Sequence, residues 1–147
     1  MLKGLLRRLA SSRDGSVILE TALMLTILLM LMFGIIDLGR AFFTSNSLVS
    51  AARGGARYAA TYQGMMTSSP PDTLTVKDTV VNQFNRVRFG GNALTRANVA
   101  TTLVPGSPPS SIRITIKYRF TWITPIRSLV GAMKDTLQAK AEYKYEF

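Results

Sequence analysis

The feature that most constrains this chain is an unbroken apolar run near its N-terminus. Ser16 to Ile36 reads SVILETALMLTILLMLMFGII, with a single charge, Glu20, and no proline. A helix of ~20 residues rises ~30 Å, the thickness of a bilayer's hydrocarbon core. Leu, Met and Ile run all the way round such a helix, so it is not an amphipathic surface helix. The run therefore predicts a membrane span. It also accounts for a positive mean hydropathy in a chain with 18 Lys and Arg and a net charge of +10.

Lys3, Arg7, Arg8 and Arg13 precede the run, against one acid, Asp14. The positive-inside rule holds that end in the cytoplasm and exports the remainder. A cleavable secretory signal would need small residues directly after the apolar run. Asp37, Leu38, Gly39 and Arg40 come next instead, so the stronger alternative is a plain, unprocessed anchor.

Glu20 is costly in such a helix, by about 2.5–3.5 kcal/mol at the bilayer centre and less near an interface. Its side chain is too short to snorkel far, so a partner or a proton is expected. Gly15 lies five residues earlier. A cut after Gly15 would create a free amine on Ser16, one helical turn from Glu20 and on the same face. The amine and carboxylate could pair within a chain or between neighbouring chains. The cut would also remove four basic residues and leave a span that an assembly could extract.

A basic leader, Gly15, then Ser16-Val17-Ile18-Leu19-Glu20 and an apolar run resemble the N-terminus of a type IV prepilin or pseudopilin. The next stretch narrows the resemblance. Phe33, Gly34, Asp37, Gly39 and Arg40, followed by Ala51, Ala52, Arg53, Gly55, Ala56, Arg57, Tyr58 and Ala59, are similar to the TadE-like minor pseudopilins of the tight-adherence (Tad/Flp) pilus system. Thr21 stands where that family often has an aromatic residue. The resemblance covers Gly15 to Tyr62 and implies cleavage after Gly15 by a prepilin peptidase, with Glu20 guiding subunit docking. The implied partners are that peptidase, other minor pseudopilins, the major pilin and the inner-membrane assembly platform. The implied location is the bacterial inner membrane, with the C-terminal domain periplasmic, and then the pilus. The role implied is priming of assembly or a place at the tip, in a pilus used for surface adhesion.

No proline interrupts Ser16 to Tyr62, so one long helix is expected, with residues 37–62 continuing beyond the membrane. Gly34 and Gly39 are weak points in it, and Gly54-Gly55 could mark a kink. Two small-residue stripes follow at i+4 spacing: Ala51, Gly55, Ala59, and Ala52, Ala56, Ala60. Such stripes admit a close backbone, either the chain's own folded domain or a neighbouring helix in a pilus. Asp37, Arg40, Arg53 and Arg57 are candidate docking charges; water access at the interface is the simpler reading of Asp37, and a solvated face that of each arginine.

Residues 63–147 are expected to form a small exported domain. Gly64 to Asp72 reads as a loop, and Thr75 to Val87 as an amphipathic helix with Val76, Val80, Phe84 and Val87 on one face. Gly90-Gly91 closes it. Val99 to Val104 predicts a strand, and Pro105 to Pro109 a turn. Ser111 to Trp122 alternates, with Ile112, Ile114, Ile116, Tyr118, Phe120 and Trp122 on one side. Pro125 to Met133 is a crossover, and Leu137 to Phe147 a last strand with Glu–Lys pairs expected on its polar face. The fold expected is α+β and pilin-like: one long N-terminal transmembrane helix, packed with a short second helix on a three-stranded antiparallel sheet.

The chain has no cysteine and no histidine. Disulfides, thiolate or imidazole metal sites and His-based acid/base catalysis are thereby excluded. No phosphate loop or nucleophile elbow occurs, so no cofactor and no enzymatic activity are expected. Arg113, Lys117 and Arg119 share one strand face, beside Lys140 and Lys144, which could bind an anionic ligand. The aromatic residues alternate onto the opposite face, so a stacking platform for nucleic acid is missing and a solvated sheet face is the better reading. Two functions stand: a processed minor pseudopilin, or an unprocessed single-span protein using that basic face.

Overall fold

The structure, a computed structural model, describes residues 13–61, 72–104, 111–123 and 135–144. The first helix, α1 (Arg13–Thr61), is continuous over 49 residues, roughly 74 Å at ~1.5 Å per residue. α1 runs unbroken through Gly54-Gly55, where a kink is one reading of the sequence, and their lack of a side chain serves packing. A Cβ at Gly55 would come within 2.2 Å of Val80 Cγ2 and 3.1 Å of Ile114 Cδ1. A Cβ at Gly54 would meet the amide end of Gln83. The second helix thus lies almost against the backbone of the first.

That second helix, α2 (Thr73–Val87), starts at Asp72, whose Oδ1 accepts from the backbone N–H groups of Leu74 (3.1 Å) and Thr75 (3.3 Å). This N-cap satisfies donors that have no partner inside the helix. Val76, Val80 and Phe84 are buried as their spacing requires. Val87, expected on the same face, is 53% exposed, since it stands on the last turn, past the edge of the core. Gly90 and Gly91 then take φ of 68° and 70°, a left-handed turn that favours glycine. Asn85 pins the returning chain, donating to the Leu94 carbonyl and accepting from the Leu94 N–H.

A 3₁₀ turn (Arg96–Asn98) leads into β1 (Val99–Val104), followed by β2 (Ser111–Arg119) and β3 (Thr136–Lys144). The three form an antiparallel sheet in the order β1-β2-β3. Val99 is paired with Ile116, and Ile114 with Ala141. The strand expected to reach Trp122 ends at Arg119. Its alternation nevertheless persists, with Phe120 buried and Trp122 half-buried. One further hydrogen bond follows in register, from the Phe120 N–H to the Asp135 carbonyl (2.6 Å), before the Ile123 N–H turns to Asp37 on α1. The expected turn at Pro105–Pro109, the crossover at Pro125–Met133, the loop at Gly64–Pro71, and Tyr62, Tyr145 and Phe147 lie outside the described residues.

One face of the sheet is dry. Ile112, Ile114, Ile116, Tyr118 and Ala139 are buried there beneath both helices, with α1 over β2 and β3 and α2 toward β1. Phe84 of α2 meets Tyr118 with ring centroids 5.2 Å apart. On β3 the residues turned to this core are the small Ala139 and Ala141, and α1, with its own alanines buried, packs over that strand. Tyr143, expected on the dry side, is 41% exposed, near the far end of the edge strand.

Candidate functional site

The long helix holds every candidate for assembly, and its two halves differ in what surrounds them. From Val17 to Ile36 nearly every apolar side chain is exposed, Leu19 by 71% and Leu28 by 60%. The helix is therefore not a core helix of a soluble protein. It is long and apolar enough to cross a membrane. Gly15 and Ser16 lie in its first turns, and Glu20 is exposed, with no hydrogen bond or ion pair among the described residues. Gly34 lines a shallow apolar notch with Met30, Leu31 and Leu38, and a Cβ at Gly39 would meet nothing within 4 Å.

Asp37 marks the change. Its residue is 1% exposed, so the water access expected from sequence is corrected. Arg40 Nη1 donates to Asp37 Oδ1 at 2.9 Å, and the Ile123 N–H donates to Oδ2 at 3.0 Å and Oδ1 at 3.3 Å. The Arg40 guanidinium also lies 5.4 Å from the centroid of the Phe120 ring, a cation–π contact. Both charges are thereby spent inside the chain, holding the end of the β2 segment against α1. The i,i+3 spacing of Asp37 and Arg40 was the available signal for their pairing. Nothing in sequence pointed to Ile123 or Phe120, 86 and 80 positions away.

Beyond Asp37 both small-residue stripes turn inward. Ala51, Ala52, Ala56 and Ala59 are at most 1% exposed, Gly55 is buried and Ala60 is half-buried. They pack against the chain's own sheet and second helix. Arg53 and Arg57 remain exposed and line an open groove between α1 and β3, with Gln83, Glu142 and Tyr143.

On the wet face of the sheet Arg113, Lys117 and Arg119 are exposed, side by side along β2. The cross-strand pair formed is Arg113–Glu142, where Nη2 and Nε donate to Oε2 at 2.9 and 3.0 Å, rather than a Glu–Lys pair. Register decides this, because Glu142 lies opposite Arg113. The Ser111 hydroxyl donates to Oε1 of the same carboxylate. That hydrogen bond first, then the one from Arg113, holds the Glu142 carboxyl below its ordinary value of 4.5. One of the three basic residues is therefore already engaged. A second surface pair, Arg96 with Asp78 (Nη2 to Oδ2 2.6 Å), ties the 3₁₀ turn to α2 and raises the Arg96 pKa.

An exposed apolar helix, long enough to cross a membrane, that continues into a helix-on-sheet domain defines an α+β protein with a candidate membrane anchor. Residues 15–57 match the family model of the TadE-like proteins, so that segment of the chain is similar to them. No curated protein and no solved structure matches the chain. The matched segment spans the apolar helix, the Asp37–Arg40 pair and the small-residue stripes short of Ala59 and Ala60, and it stops before α2 and the sheet.

Proposed function

We propose that the protein is a minor pseudopilin, stored in the inner membrane with its N-terminus cytoplasmic. A prepilin peptidase cuts it after Gly15, and it then joins a Tad-type pilus to prime assembly or to stand at the tip. The observation that carries this reading is where the family match begins, at Gly15, directly before an exposed apolar run with one acid at its fifth position. Extraction from lipid leaves that helix needing a new apolar surface, which a bundle of like helices supplies. Glu20, without a partner among the described residues, is the charge that the new Ser16 amine of the same or a neighbouring subunit would meet. Arg53 and Arg57 remain available for acids on a neighbour, whereas Asp37 and Arg40 are engaged internally.

N-terminal sequencing of the protein from cells containing the peptidase tests the reading. A start at Ser16, abolished in Gly15→Val, supports it. An intact Met1 start in those cells defeats it and favours the alternative, a single-span anchor whose exposed Lys117 and Arg119 contact an anionic ligand.

A further inference from the structure

The exposed apolar surface of α1 does not stop where the sequence run stops. Leu38, Phe42 and Phe43 are exposed by 66%, 70% and 47%, and they continue it past Ile36. From Val17 to Phe43 it spans 27 residues, roughly 40 Å at ~1.5 Å per residue. That exceeds a hydrocarbon core of ~30 Å and matches a whole bilayer with its interfacial layers, ~40–45 Å. Two charges interrupt the outer end, Asp37 and Arg40, and both face the domain. Their side chains are 2% and 14% exposed, and they neutralise each other. The domain adds an apolar group at the same level. Ile123, hydrogen-bonded through its N–H to Asp37, is 67% exposed.

We propose that the span-proximal end of the folded domain sits in the outer interfacial layer of the bilayer, with Leu38, Phe42, Phe43 and Ile123 in contact with lipid. This rests on the reading of α1 as a membrane span. The lipid contact is continuous with the span itself, and aromatic side chains are favoured at that depth. The Asp37–Arg40 pair gives the seating its physical basis: a free carboxylate and guanidinium would hold the surface in water, and the closed pair does not. The domain is therefore docked on the membrane, its strands standing away from it, until extraction exposes the same patch.

The absence of cysteine makes the test direct. Single variants Leu28→Cys, Phe42→Cys, Ile123→Cys and Thr102→Cys of the full chain are nitroxide-labelled and reconstituted in vesicles of phosphatidylcholine and phosphatidylglycerol. Collision with oxygen is compared with collision with a water-soluble nickel chelate. Labels at 42 and 123 should show an oxygen-to-nickel ratio several-fold above that at 102 and below that at 28. Ratios equal to that at 102 overturn the proposal while the span reading stands. Spin–spin broadening at 42 that disappears on dilution with unlabelled protein assigns the patch to a second copy and also overturns it. A nickel-accessible label at 28 removes the span reading and this proposal together, yet leaves the N-terminal sequencing result independent. The unsubstituted chain supplies a second readout through its one tryptophan, Trp122. Quenching by phosphatidylcholine brominated near the headgroup should exceed quenching by lipid brominated near the chain ends. No quenching by either lipid overturns the proposal.

Discussion

The two halves of α1 share one backbone and the same freedom from proline, but they solve different problems. The half before Asp37 carries large apolar side chains in every direction and leaves them exposed. The half after Asp37 carries alanine and glycine on the faces that matter and buries most of them. Large side chains all round suit a uniform apolar solvent, for which every direction is equal. Small side chains on chosen faces suit a specific neighbour, because they let its backbone come close. The contrast teaches that the hydrophobicity of a helix and its burial are separate properties: the more apolar half is the exposed one.

The comparison can be broken most strongly by deleting a large side chain on either side of Asp37. In detergent micelles, with urea unfolding followed by Trp122 fluorescence, Phe84→Ala should cost about 3–5 kcal/mol by emptying the centre of the core. Leu28→Ala, in the exposed half, should leave that transition in place. A comparable loss from Leu28→Ala would mean that the span is packed against the domain. Next in size is the boundary itself. Asp37→Ala leaves Arg40 without its carboxylate and the Ile123 N–H without its acceptor, and should cost about 3 kcal/mol in the same measurement.

The glycines sharpen the comparison further, because the same substitution should change sign along one helix. Gly55→Ala forces a methyl group into Val80 and should destabilise by about 1–3 kcal/mol. Gly39→Ala meets open space and should stabilise the helix by up to about 1 kcal/mol. The smallest effect belongs to the wet face of the sheet. The depressed pKa of Glu142 means that its contribution is fully present above the ordinary pKa of 4.5 and is lost as pH falls through the folded value. Glu142→Gln should therefore flatten the acid side of the stability–pH curve slightly and leave neutral pH nearly unchanged.

Much of the architecture was legible because periodicity is local. The length and type of the apolar run, the alternation of Ile112 to Phe120, and the spacing of Val76, Val80 and Phe84 each report a face that must be covered. The glycine before the run and the acid within it were equally visible, since both are read directly along the chain. Asp37 was misjudged for the opposite reason. An acid beside a span looks the same in sequence whether it meets water or a backbone N–H 86 residues away. The stripes were ambiguous for a related cause: small residues at i+4 spacing announce a close neighbour without saying which one.

The sequence by itself determined that this chain carries an N-terminal helix able to cross a membrane, followed by a small α+β unit. It did so because side-chain hydrophobicity and its period act over a few residues. Only the tertiary structure decided where the helix, exposed all round at first, begins to pack against the domain. That boundary depends on which distant groups reach Asp37 and Arg40, and on how closely Val80 can approach Gly55. Both are set by the packing of helix on sheet.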